Sequence, residues 1–172
     1  MGVSRSGRFA AVTNFRGARE PSARESRGAL VTAALSDAPA SAILAGIAPG
    51  AADYSGFNLL VADDEELWCL SNRGEGGPRK LSPGVYGLGN TLLDAPEVDE
   101  AKAAFAGAIA DGASVEALIG VLGRWRIVNP VYGTRCSTIL RRDGARVRYA
   151  ERPYSPEGTA LESRQFGFAA AA

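Results

Sequence analysis

The chain contains no histidine. Its absence removes the usual general base near neutral pH, every Ser-His-Asp or Cys-His site, and the commonest ligand of zinc and haem iron. Lysine is almost missing as well, since Lys80 and Lys102 are the only two and every other cation is an arginine. Lys+Arg and Asp+Glu both number 19, so the net charge is zero. Broad nucleic-acid binding needs a cationic surface, and none is implied. Cysteine is scarce. Cys69 and Cys136 lie in separate strand-like runs, and two thiols in 172 residues make no disulfide framework, so both are expected as reduced core residues. Long apolar runs are missing too. The most apolar tract, residues 29–52, is broken by Asp37, Pro39 and Pro49, too soon for the roughly 20 residues that a membrane span requires.

The composition that remains, 46% hydrophobic and 22% charged, is ordinary for one globular domain. "MGVS-RSGR-FAAVTN" reads as strand, turn and strand about Gly7. Residues 17–28 form a polar loop, and 29–48 hold short helices broken at Pro39 and ended by Pro49–Gly50. "FNLLVADDEELWCLSN" (57–72) is a hairpin turning at Asp63–Asp64, followed by a loop, "NRGEGGPRK". Asp94 caps a helix with Pro96 in its first turn and a buried stripe of Val98, Ala101, Phe105, Ala108 and Ile109. Gly112 stops it, and a second helix runs from Ser114 to Gly123. "GTRCSTILRR-DGA-RVRYAER" is a hairpin turning at Asp143–Gly144, and "TALESRQFGF" adds a last strand to the same sheet. The order of strands, helices, strands, helices and strands implies an α+β domain over 1–168 with mostly antiparallel sheets, leaving 169–172 as a disordered tail.

Few stretches carry chemistry. In "GVYGLGNTLLDAP" (84–96) the spacing of Gly84, Gly87 and Gly89 is not that of a dinucleotide or P-loop motif. The glycines suit a turn with positive φ, and Asn90 caps that turn or lines a site. Asn72, Arg73 and Glu75 follow a strand end. Thr134 and Arg135 open a strand in which the arginines between 135 and 152 read as one solvated face. The acidic run 63–66 is a turn tip, and no metal site is expected there.

Seven blocks, "GVSRSGRFAAVTN", "SRGALVT", "YSGFNLLVAD", "LSNRGE", "LSPGVYGLGNTLLDAP", "YGTRCSTILRRDG" and "YAERPY", together resemble the NRDE family, that of the transport and Golgi organisation protein 2, over residues 2–168. Family members begin with Met-Cys and carry an Asn-Arg-Asp-Glu signature, and this chain has neither. The resemblance therefore implies an N-terminally truncated member, with a cut sheet edge through which it self-associates. It implies an Ntn-hydrolase-like αββα fold with two mostly antiparallel sheets, incomplete at the N-terminus. Relatives are linked to Golgi organisation, secretion and haem trafficking, which implies a cytoplasmic protein with haem or another small molecule as cargo, bound without histidine. The alternative is a cysteine Ntn-type amide hydrolase in the full-length form, whose nucleophile this chain lacks. By position in the fold, the resemblance makes Asn14, Asn90 and Arg135 the supporting residues of that site, with Asn72, Arg73, Tyr86 and Thr134 as ligand-binding candidates.

Overall fold

The computed structural model describes residues 1–17 and 24–171. Residues 18–23 of the expected polar loop, and Ala172 of the expected tail, lie outside them. The chain divides into two compact units, Met1–Val98 and Asp99–Ala170.

The first unit is built on one antiparallel sheet of five strands in sequence order: β1 (Gly2–Val3), β2 (Phe9–Asn14), β3 (Phe57–Ala62), β4 (Leu67–Ser71) and β5 (Arg79–Leu81). The two expected hairpins form. Gly7 takes φ 80 between β1 and β2, and Asp63 turns β3 into β4 by accepting the amides of Glu65 (3.1 Å) and Glu66 (2.9 Å). Two helices, α1 (Arg27–Ala34) and α2 (Ala40–Ile47), cover one face, and Ser26 caps α1 by accepting the amide of Gly28. Pro39 separates them as expected, whereas Pro49 and Gly50 enter a 3-10 turn, Ala48–Asp53. Leu30, Leu44, Phe57, Leu59 and Val61 are buried completely or nearly so in this core, each worth about 1.5–3 kcal/mol. β5 corrects the expected loop at 72–80. Arg79 and Lys80 are polar, but they pair with Cys69 and Trp68 because the edge of β4 offers unpaired amides and carbonyls.

The second unit carries α3 (Asp99–Ala110), α4 (Val115–Gly123) and an antiparallel sheet of β6 (Cys136–Asp143), β7 (Arg146–Pro153) and β8 (Arg164–Ala169). Ser114 caps α4 by accepting the amide of Ala117, and Gly112 ends α3 at φ 70, both as expected. Asp94 does not cap α3. A 3-10 turn, Pro96–Val98, precedes that helix, and the Asp94 carboxylate is engaged elsewhere. The stripe expected on α3 is only half right: Phe105 packs against Ile119, Ile139 and Ala150, but Ile109 is 49% exposed. The β6–β7 turn lies one residue later than expected, at Gly144–Ala145, because Asp143 still pairs with Arg146. β8 joins β7 as expected, although it starts only at Arg164 and runs through Ala169 into the alanine tail. The molecule is therefore α+β with two antiparallel sheets. Among the described residues, no helix is long and apolar enough to cross a membrane.

Candidate functional site

In the first unit the strand register sets which side chains meet. Thr13 pairs with Asn58, and Asn58 pairs with Ser71, so these three polar residues form one row on the sheet face opposite Phe57. Asn58 is completely buried. Its Nδ2 donates to Thr13 Oγ1 (3.1 Å) and to the Thr91 carbonyl (2.7 Å), while its Oδ1 has no partner among the described residues. Asn58 was not a sequence candidate. The signal was present, as one amide inside the otherwise apolar strand "FNLLVA".

The loop from Ser82 to Ala95 brings Thr91 to that row. The Arg16 amide donates to the Asn90 carbonyl at 2.5 Å, which ties the loop to the end of β2. The loop is closed by Asp94, whose Oδ1 accepts the Gly87 amide (2.8 Å) and whose own amide donates to the Gly87 carbonyl (2.8 Å). Positive φ falls on Asp94 (58°), and Gly84, Gly87 and Gly89 do not take the positive φ expected of them. Gly89 is small because a Cβ there would stand 3.3 Å from Val98. Asn90 does not cap the turn. Its side chain is exposed and has no hydrogen bond among the described residues.

The other candidates are placed as follows. Asn14 pairs with Phe57 at the exposed end of β2 and so shares the helix-side face, opposite to Thr13 and Asn58. Asn72 is committed to the backbone: its Oδ1 accepts the Phe57 amide (2.8 Å) and its Nδ2 donates to the carbonyls of Ala51 (3.0 Å) and Tyr54 (3.2 Å). Arg73 packs over Gly56, where a Cβ would meet its Nε at 3.0 Å. Tyr86 donates its hydroxyl to the Ser82 carbonyl (2.6 Å).

Thr134 and Arg135 belong to the second unit. Thr134 Oγ1 accepts the Ile127 amide (2.8 Å) and its own amide donates to the Ile127 carbonyl (2.9 Å), pinning the loop between them. Arg135 is exposed and lines a hollow of about 570 Å³ with Val131, Tyr132 and Tyr154. Beside it Cys136 is exposed, not buried as expected, as the first residue of the edge strand β6, whereas Cys69 lies in the interior. Partial burial still holds the Cys136 thiol above its ordinary value, and the Glu151 carboxylate reinforces this. Glu151 is held low, first by the Tyr149 hydroxyl (2.7 Å) and also by that of Thr138 (3.1 Å), against a desolvation that opposes them. Among the described residues no group of three or more acidic or cysteine side chains is placed to hold a metal ion.

The family model described as Transport and Golgi organisation 2 matches residues 1–126. Similar curated proteins include the Transport and Golgi organization protein 2 homolog of Bos taurus, 37% identical over 102 residues. Those of Mus musculus and Homo sapiens are 39% identical over 103 and 36% over 102. Each alignment covers 56% of this chain and 37% of the relative, so the chain spans about 37% of the length of the curated relatives it matches. The matched stretch holds the Asn58 row and its covering loop, and β6–β8 lie beyond it.

Proposed function

The chain belongs to the Transport and Golgi organisation 2 family, and from that premise we propose that the Asn58 row is a ligand-binding site for a transport-linked protein, of the neutral, amide-lined kind an Ntn-hydrolase-like fold uses. The observation that carries the reading is Asn58 Oδ1, an acceptor taken out of water without a donor among the described residues. Leaving such a group unpaired costs about 1–3 kcal/mol. A strand built to hold Asn58 by both protons of its amide nitrogen, at Thr13 and Thr91, keeps the oxygen for something else. The ligand is therefore a hydrogen-bond donor, an amine or amide N–H. Asn90, carried by the same loop and uncommitted, supplies a neutral donor for an oxygen of the same ligand.

A second reading uses the same geometry. In a cysteine Ntn-type amide hydrolase the α-amine of the nucleophile needs a neutral acceptor, and Asn58 Oδ1 suits that need better than Asn14, which lies on the other face. Asn90, on the loop that covers the Asn58 row in the same unit, keeps its proposed supporting role there. Haem remains the cargo the family resemblance implies. Its iron would meet exposed groups without histidine, such as the Cys136 thiol or the Tyr132 phenol.

The experiment is a pair of titrations on the chain and its Asn58→Leu variant, with folding of both checked by circular dichroism. A simple arylacetamide, followed by thermal shift, should raise the melting temperature of the first and not of the second. Equal shifts in both, or none in either, overturn the site. Haemin, followed by absorbance, tests the cargo reading separately: a saturable band shift lost in Cys136→Ala supports it, and its absence removes haem.

A further inference from the structure

The second unit holds a charge arrangement that the Asn58 site does not use. Arg141 on β6 and Arg148 on β7 are direct cross-strand partners, so their side chains leave the same face of the sheet. It is the face of Ile139 and Ala150, which α4 covers, but both arginines are exposed beyond that cover. Like charges placed directly opposite one another across a strand pair destabilise it. Neighbouring arginines are relieved: Arg152 pairs with Glu116 and Arg146 faces Asp143. Arg141 and Arg148 have no carboxylate or hydrogen-bond partner among the described residues.

The third strand puts no side chain opposite Arg148. Gly167 is the partner of Arg148 on β8, and a Cβ there would lie 3.0 Å from the Val147 carbonyl oxygen and 3.7 Å from Arg148 Cγ. The row across the sheet is thus arginine, arginine and no side chain. Arg141, Arg148 and Gln165 line a hollow of about 250 Å³ floored by Ala150, and Arg148 also borders a larger one of about 700 Å³ lined by Val147, Gly167 and Phe168.

We propose that Arg141 and Arg148 bind the phosphate group of a phosphomonoester, with the rest of the ligand lying along the hollow over Ala150. Two facing guanidinium groups need two negative charges. A phosphomonoester carries about −1.5 to −2 at pH 7 and offers three acceptor oxygens to planar donor forks, whereas a carboxylate brings one charge. The Gln165 amide lines the same hollow and adds a neutral donor. The phosphate can come from a soluble metabolite or from the headgroup of phosphatidate in a membrane.

The test uses the whole chain, with Arg141→Gln, Arg148→Gln and, as a control elsewhere on the surface, Arg79→Gln. Without anion, the first two variants should melt at or above the temperature of the unaltered chain, since a repulsion is gone. Glycerol 3-phosphate should raise the melting temperature of the unaltered chain and of the Arg79 variant saturably, and its affinity should fall at least tenfold in the other two. Co-sedimentation with phosphatidylcholine vesicles, with and without phosphatidate, identifies the source. Retention only on phosphatidate vesicles, lost in Arg148→Gln, assigns the headgroup, and soluble binding without retention assigns a metabolite. No response to either probe, or a response that survives both substitutions or falls equally in the Arg79 control, overturns the proposal. The Asn58 site stands or falls on its own titrations.

Discussion

The amide of Gly87 donates to Asp94 Oδ1 at 2.8 Å, and the amide of Asp94 returns a hydrogen bond to the Gly87 carbonyl at 2.8 Å. This reciprocal pair closes the loop that carries Asn90 and Thr91 onto the sheet. Asp94 does so in the left-handed region, at φ 58. Asp and Asn visit that region readily because their short side chains hydrogen-bond locally, and alanine does not.

Asp94→Ala should therefore lose both the acceptor and the backbone tolerance, costing about 2 kcal/mol. Asp94→Asn should cost less than about 1 kcal/mol, because an amide oxygen can still accept from Gly87. Urea midpoints of the two variants measure this. Equal midpoints would mean that the loop does not depend on the pair.

Asn58 and Asn90 should separate stability from binding. Asn58→Ala removes the donors to Thr13 and Thr91 and opens space in a buried position, and should cost about 2–3 kcal/mol. Asn90→Ala, at an exposed side chain, should change stability by less than about 0.5 kcal/mol. Thermal unfolding checks both, and a large loss in the Asn90 variant would show that its role is structural.

Asp63 links the first turn of the chain to acid stability. Burial would push its carboxyl up, but the amides of Glu65, Glu66 and Ala40, together with the Arg8 charge at 3.8 Å, hold it below the ordinary value of 3.8. A depressed carboxylate contributes stability that is fully present above its unfolded pKa and is lost as pH falls through the folded one. The chain should thus lose stability as pH drops below about 4, and Asp63→Asn should flatten that slope. At neutral pH the same substitution should cost roughly 2 kcal/mol, because it leaves the buried Arg8 guanidinium without its counter-charge. Denaturant melts across the acid range decide it, and an unchanged slope would remove Asp63 from the acid transition.

The two thiols should differ in access rather than in acidity. Both are held above the ordinary thiol value, and desolvation leads in each case, so alkylation near pH 7 should be slow and should quicken toward pH 9 and above. Cys136 should react in the native protein and Cys69 only after unfolding. Mass spectrometry after timed iodoacetamide treatment reads this directly, and native labelling of Cys69 would contradict its burial.

Local pattern fixed the elements whose signal is local. Alternating apolar residues on either side of Gly7, of Asp63 and of Gly144 specified three hairpins, and Ser114 and Gly112 marked helix ends through capping geometry that needs no distant partner. Tertiary structure decided what depends on a neighbour. Arg79 and Lys80 became a strand because β4 left an edge to pair with. Asp94 left the helix it could have capped for the Gly87 amide, seven residues back. Ile109 and Cys136 are apolar enough to bury, yet periodicity says only that residues share a face and not that anything covers it. Asn58 is the reverse: one polar residue in an apolar run reads as an imperfection of a strand until the register sets Thr13 beside it and the loop lays the Thr91 carbonyl over it. A hydrogen bond between residues 33 positions apart has no local signature, because it exists only after the sheet has formed and the loop has closed across it.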